Sequence, residues 1–308
     1  MSAHCVLRPC LLLPLLLLPV RLHAQVPHRA ILRDKLQADL EAIADAFDGV
    51  YGVRVVDLKD SAYAGVNDDL VFPQGSAIKI PLLVELFRQA EPRPGLLRER
   101  YPVAAAQQVG GSGVLQYFTD GGSLLSLEDL AVLMVDLSDN TATNMLIDQL
   151  GMEAVNRTLD SMGFKQTRLQ RKMIDQVASV AGRENLSTPA EAAEYMTRLA
   201  ACNLPVSHAS CVRIRQLLEL PKPGPVRDPL PADVPIAFKP GSLEGVATVW
   251  ALVNLPERPY VLTVMTNYGG DGDAAIRQTS EVVYRYFAKL ARATPYGARV
   301  PLKTIRPQ

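Results

Sequence analysis

An α+β fold follows from the order in which this 308-residue chain distributes its hydrophobic residues. One helical pattern comes first, then two strand-like runs, a long stretch of helical patterns, three more strand-like runs and a last helix. Within each group the strand-like runs are joined by short turns, which favours antiparallel pairing. The expected architecture is one five-stranded antiparallel sheet made from both ends of the chain. Terminal helices cover it, and an all-helical lobe is inserted between its halves. A cleft is expected where the lobes meet, and such junctions favour ligand sites.

Each element has its own signal. Over 29–47, Leu32, Leu36, Leu40, Ile43 and Phe47 recur at three- and four-residue spacings, the period of a helix. Strands are expected at 50–58 and 62–66, with Lys59-Asp60-Ser61 as the turn. Helical patterns follow at 76–90, 126–137, 140–150, 152–162, 189–202 and 207–219. Residues 221–235 are rich in proline and read as a connector. Strands are then expected at 235–239, 247–255 and 260–266, and a final helix at 273–291. The α/β lobe therefore takes about 25–72 and 220–308, and the helical lobe about 73–219.

The first residues have the layout of a secretory signal peptide: Arg8, an apolar stretch over 11–20, and Leu22-His23-Ala24 as a cleavage site. That stretch is short of the about 20 residues a membrane span needs. The expectation is a leader over 1–24, one domain over 25–308, and a periplasmic or secreted protein with no transmembrane anchor. Lys and Arg together number 32, as do Asp and Glu. The leader carries Arg8 and Arg21 and no acid, so the rest is slightly acidic. No basic stripe with interleaved aromatics is present, which argues against nucleic-acid binding. A monomer is expected.

Cys5 and Cys10 fall in the leader. Cys202 and Cys211 remain, and in an oxidising compartment a disulfide clamping a helix–helix turn is expected. The alternative is a zinc site from Cys202, His208 and Cys211, which has no fourth ligand nearby. No metal or other cofactor is otherwise implied. The four histidines are His4, His23, His28 and His208. None accompanies a G-x-S-x-G elbow, and H-E-x-x-H, Walker and G-x-G-x-x-G patterns are absent. Hydrolysis by a histidine base or a metal has little support.

A lysine base has more. Ser76-Ala77-Ile78-Lys79 places Ser and Lys three apart, so at a helix start both side chains share one face within hydrogen-bond reach. The helix start also offers unpaired backbone N–H groups to an oxyanion. S-x-x-K alone arises about once in 300 residues of ordinary composition. Two further segments add weight. Ser138-Asp139-Asn140 separates two helices, a place where Asp and Asn are also ordinary caps. Lys239-Pro240-Gly241-Ser242 follows a strand-like run, and Gly241 would let substrate approach the strand backbone closely. A second Lys-Pro-Gly, Lys222-Pro223-Gly224, lies among prolines with no strand beside it and is set aside.

These three segments, in this order, resemble the S-x-x-K, S-D-N and K-T-G set of class A β-lactamases and penicillin-binding proteins. The likeness extends over Leu137 to Asn144, the helix after S-D-N. Thr167-Arg168-Leu169-Gln170-Arg171 resembles the start of the family's omega loop, and Thr188-Pro189 its end. The resemblance implies a β-lactamase/transpeptidase-like fold and an acyl-enzyme mechanism. Ser76 would be the acylated nucleophile and Lys79 the group that removes its proton. Ser138 would relay a proton to the leaving nitrogen, and Asn140 would contact substrate or Lys79. Lys239 would supply charge for a substrate carboxylate, and the N–H groups of Ser76 and Ser242 an oxyanion hole. Two ammonium groups in one cleft disfavour each other's charge, which lowers the pKa of Lys79.

Two departures from the family pattern matter. Two residues after Arg171 the family carries a Glu that activates the deacylating water; here stands Met173, followed by Gln176-Val177-Ala178 in place of the family's later Asn. Asp175 is the nearby carboxylate that would substitute if the loop were rearranged, while Arg183 and Glu184 read as solvated loop charges. Pro240 replaces the family's Thr or Ser, and the next strand offers Thr248 and Trp250 in place of an Arg. Carboxylate recognition would fall to Lys239 and the Ser242 hydroxyl. The leading expectation is an exported serine hydrolase acting on β-lactams or related amides and esters, with impaired deacylation. Alternatives are a cell-wall peptidase or esterase, and a soluble acceptor that stays acylated.

Overall fold

The computed structural model describes residues 27–294 and 296–299; the leader expected over 1–24 lies outside them. In chain order the main elements are α1 (Pro27–Ala46), β1 (Val50–Asp57), β2 (Tyr63–Val66), β3 (Phe72–Pro73), α2 (Lys79–Ala90), β4 (Arg100–Pro102), β5 (Leu124–Ser126), α3 (Leu127–Asp136), α4 (Asn140–Leu150), α5 (Met152–Ser161), α6 (Gln176–Val180), β6 (Leu186–Ser187), α7 (Pro189–Ala200), α8 (His208–Leu218), β7 (Ile236–Leu243), β8 (Val246–Val253), β9 (Tyr260–Asn267) and α9 (Gly272–Ala291).

The five-stranded sheet runs β2-β1-β9-β8-β7 and is antiparallel throughout, so strands from both ends of the chain meet at its centre. Its residues alternate between two cores. Val53, Val55, Val249, Ala251 and Val264 face α1 and α9, where Leu40, Ile43, Ile276 and Phe287 close the layer. Trp250, Leu252, Val261 and Met265 face α7 and the helical bundle. Burial on both faces is why β8 and β9 read as nearly continuous apolar runs. Each fully buried Leu or Val contributes about 1.5–3 kcal/mol through area removed from water. The α+β class and the sheet agree with the sequence reading. Among the described residues no helix is long and apolar enough to cross a membrane.

Several details differ. The helix expected over 76–90 divides into a 3₁₀ turn, Gly75–Ile78, and α2, which begins at Lys79. Strand β7 does not stop at 239 but runs to Leu243, so Pro240 lies inside it. A missing N–H is tolerated there because β7 is an edge strand. Two short pairings, β3 with β6 and β4 with β5, had no sequence signal. Cys202 and Cys211 form a disulfide between the end of α7 and α8.

Candidate active site

The nucleophile turn is held by a glutamine that the sequence did not single out. Gln74 is fully buried. Its carbonyl accepts from Thr248 Oγ1 at 2.8 Å, and its Oε1 accepts from Trp250 Nε1 at 2.8 Å. Thr248 and Trp250 thus serve to tie β8 to this turn. Gly75 follows at φ +50°, a left-handed conformation that favours glycine. Strand β7 presses on the same turn, backbone against backbone. A Cβ at Gly241 would lie 2.2 Å from Gln74 O and 2.7 Å from Ser76 N. Glycine is needed here for contact between two parts of the chain itself.

Below the cleft lies Lys79, 1% exposed. Its Nζ donates to Ser138 O at 2.7 Å, Ser138 Oγ at 3.1 Å and Asn140 Oδ1 at 3.0 Å. An ammonium has three protons to donate, and these three acceptors use them all. All three partners lie on the S-D-N segment. Burial, then the charge of Lys239, push the Lys79 pKa well below the ordinary lysine range, with Asp139 opposing.

The S-D-N segment is shaped by its middle residue. Asp139 is buried and caps α4, accepting from Ala142 N at 2.9 Å, and it also accepts from Val114 N at 2.7 Å and Leu115 N at 2.9 Å. Ser138, at φ +54°, turns between α3 and α4 and presents both its oxygens to Lys79. Asn140 holds the facing loop by donating to Gly110 O at 3.0 Å.

A cleft of about 860 Å³ opens above these groups. Ser76, Ser138, Asn140, Lys239, Gly241 and Ser242 all line it, as do Met173 and Asp175 from the loop before α6. Lys239 is 1% exposed, and Nζ has one hydrogen bond, to Pro240 O at 3.2 Å. Burial and the nearby Lys222 charge push its pKa down to about 7. Lys222-Pro223-Gly224 was set aside in the sequence, yet Pro223, Gly224 and Pro225 form part of the cleft wall.

The loop carrying Met173 is anchored at three points. Asn144 clamps the Met173 backbone, donating to its carbonyl at 3.1 Å and accepting from its N–H at 2.8 Å. Arg171, buried, pairs with Glu184 at 2.8 Å, and Ser179 Oγ donates to the same carboxylate. Glu184 is thus a loop-closing ion pair, which corrects its reading as a solvated charge; Arg183 is exposed. Asp175 caps α6, its carboxylate accepting from Ala178 N at 2.9 Å. The sequence signal for Asn144 was its place four residues after Asn140 on one helix, which puts both on one face. Cys202 and Cys211 lie outside the cleft lining.

Comparisons agree with this geometry. The β-lactamase enzyme family matches residues 35–287. β-Lactamase L2 of Stenotrophomonas maltophilia is 32% identical over 134 residues, 43% of this chain and 44% of that protein, so the match spans less than half of that relative. A β-lactamase from Sphaerobacter thermophilus superposes with a TM-score of 0.76 at 31% identity, over 83% of this chain and 97% of its own. A point mutant of PBP-A, solved as an acyl-enzyme complex with penicillin G, gives a TM-score of 0.75 at 27% identity, over 84% of this chain and 97% of its own. The three motifs, the five-stranded sheet and the match over 35–287 place this chain in the β-lactamase enzyme family.

Proposed function

We propose that the protein is an exported serine acyl-transferase-type hydrolase that forms an ester between Ser76 and a β-lactam or related amide, and releases it slowly. The observation that carries this is Met173, gripped by Asn144 in the wall of the cleft that also holds Ser76 and Lys239.

Acylation has its parts in place. When Lys79 loses a proton it gains a lone pair and can turn from its Ser138 and Asn140 acceptors to take the Ser76 proton. Burial and Lys239 favour that neutral form. The attacked carbonyl becomes an oxyanion beside Ser76 and Ser242, whose backbones the Gly241 contact brings side by side. Ser138 then passes a proton to the leaving nitrogen, and Lys239 pairs with an anionic group on the substrate. Deacylation is different. A thioether neither orients nor deprotonates water, and Asp175 is engaged as a helix cap. The PBP-A mutant, a penicillin G acyl-enzyme by its solved structure, supports acylation as the step held in common. The Cys202–Cys211 disulfide and the leader-like first residues support export, to the periplasm or medium.

The test pairs a chromogenic cephalosporin assay with intact-protein mass spectrometry, using Ser76→Ala as control. The expected result is one equivalent of colour and a retained adduct on wild type alone. Steady colour would contradict slow release. An adduct on Ser76→Ala would reject the nucleophile. No colour and no adduct would point to a peptide or ester substrate.

A further inference from the structure

Thr248 and Trp250 alternate with Val249 along β8, so they share one face of the sheet, and both are fully buried. Each donates to Gln74: Thr248 Oγ1 to the main-chain carbonyl and Trp250 Nε1 to the side-chain oxygen, both at 2.8 Å. The remaining polar atoms of Gln74 are bonded too. Its backbone N–H donates to Asn185 O at 2.8 Å, and Nε2 donates to Phe72 O at 2.9 Å. A residue held at every polar atom has one position. What it holds in turn is the start of the nucleophile turn. Gly75, at φ +50°, abuts β7 so closely that a Cβ there would lie 2.8 Å from Ser242 N. Ser76 follows, and a Cβ at Gly241 would lie 2.7 Å from its N. The N–H groups of Ser76 and Ser242, read above as the oxyanion donors, thus belong to two segments that meet beside Gln74.

We propose that Thr248 and Trp250 are positioning residues for the oxyanion hole, acting on the Ser76 N–H through Gln74. This rests on the reading of Ser76 as the acylated nucleophile. Neither side chain lines the cleft, so neither touches substrate. An oxyanion hole works only if its donors lie about 2.7–3.1 Å from the oxygen that gains charge. The Ser242 donor is fixed by the sheet, where Gly241 pairs with Thr248 and Ser242 with Ala247. The Ser76 donor is not. It sits outside the sheet on the 3₁₀ turn Gly75–Ile78, whose opening bond runs from Ala77 N to Gln74 O at 3.1 Å. Thr248 joins that same carbonyl to β8, and its hydroxyl also lies 3.4 Å from Gly241 O. One buried hydroxyl therefore stands between the carbonyl that opens the nucleophile turn and the strand that carries the second donor. Trp250 fixes the side chain of Gln74, so the residue cannot swivel about the Thr248 contact. The two donors are thereby kept in register while charge develops on the substrate oxygen. If these bonds only satisfied buried polar groups, losing one would lower stability and leave the hole as it is.

The experiment crosses Thr248→Val with Thr248→Ser. Val keeps the volume and loses the hydroxyl; Ser keeps the hydroxyl and loses a methyl group. Penicillin labelled with ¹³C at its lactam carbonyl forms the adduct, and infrared difference spectra record the ester C=O stretch. N–H groups that hydrogen-bond this oxygen weaken the C=O bond and lower its frequency, so a loosened hole raises it. Adduct formation is followed by intact mass over a range of penicillin concentrations. Thr248→Val should raise the stretching frequency. It should also lower the limiting acylation rate by about tenfold, part of the about 10²–10³ that loss of a whole oxyanion donor costs. The half-saturating concentration should stay at the wild-type value, since the lost interaction belongs to the transition state. Thr248→Ser should restore both the band and the rate. If Thr248→Val fails to fold by circular dichroism, Trp250→Phe removes the other donor to Gln74 and should raise the frequency in the same way. A band at the wild-type position in the folded variant overturns the proposal. So does Thr248→Ser acylating as slowly as Thr248→Val, which would make the residue a matter of packing. An adduct with an unmoved band rejects this proposal alone, whereas no adduct on wild type rejects acyl transfer and this proposal with it.

Discussion

The side-chain amide of Asn144 closes two hydrogen bonds on the backbone of Met173, at 3.1 Å and 2.8 Å, and so fixes which residue of the loop enters the wall of the cleft. The clamp reads backbone, not side chain, and would hold any residue at that position. Asn144→Leu leaves a buried N–H and a buried C=O without partners. An unmade buried hydrogen bond costs about 1–3 kcal/mol. The variant should lose roughly 2 kcal/mol or more, read as a lower urea midpoint at unchanged slope. A midpoint equal to wild type would mean that the clamp contributes nothing to stability.

Because the clamp is indifferent to the side chain, Met173→Glu should place a carboxylate where the thioether now stands. General-base catalysis is worth about 10²–10⁴-fold. The lifetime of a penicillin adduct on Ser76 should shorten by a factor in that range. Asp175→Asn should leave it unchanged, because Asp175 Oδ1 serves as the cap of α6, accepting from Ala178 N, a contact that an Asn side-chain oxygen keeps. Time-resolved intact mass distinguishes these. Wild-type turnover abolished by Asp175→Asn would make Asp175 the base and refute the assignment of Met173.

Buried lysines also set how stability varies with pH. Lys79 and Lys239 both lie below their ordinary pKa in the folded protein, so between about 7 and the usual lysine value the unfolded chain binds more protons. Stability should therefore rise from about pH 7 to about pH 9. Above about 10 the trend reverses, since buried Tyr51, Tyr195 and Tyr260 are held protonated when folded. Lys239→Met removes one of the lysine contributions, so the variant should gain more over wild type at about pH 6 than at about pH 9. Urea unfolding at the two pH values measures the difference, and an equal gain at both would show that Lys239 keeps its proton throughout.

What the sequence made legible was what depends on local pattern. The helical spacing of Leu36, Leu40 and Ile43 and the apolar runs of β8 and β9 located the layers. The spacing of Ser76 and Lys79 and the Ser138-Asp139-Asn140 tripeptide located the site. What it hid depends on contacts far apart in the chain. Glu184 looks solvated until Arg171 is folded against it. Gln74 looks like a turn residue until Trp250, 176 positions away, donates to it. Lys222-Pro223-Gly224 looks stranded among prolines until the connector brings its lysine over the ring of Phe238 on β7 and its Pro and Gly into the cleft wall. Asn144 stood in plain view on the face of Asn140, but nothing local said that it would hold Met173.

Gly241 offers the sharpest test of the contact that builds the site. A Cβ there would lie 2.2 Å from Gln74 O, 2.6 Å from Ala77 N and 2.7 Å from Ser76 N, all backbone atoms that cannot swing aside. Gly241→Ala must therefore part β7 from the nucleophile turn. Overpacking of this kind costs about 1–3 kcal/mol. Catalysis should suffer more, since displacement of reacting groups by about 1 Å costs on the order of 10²-fold. Gly245, two residues past Leu243 in the β7–β8 turn, is the control. It has φ +70° and no atom within 4 Å of an added Cβ, so Gly245→Ala incurs backbone strain alone. Both variants should be less stable than wild type. Only Gly241→Ala should lose adduct formation by about a hundredfold when the rate is followed by intact mass at fixed penicillin concentration. Equal acylation by the two would show that the approach of β7 to Ser76 is a matter of packing and not of chemistry.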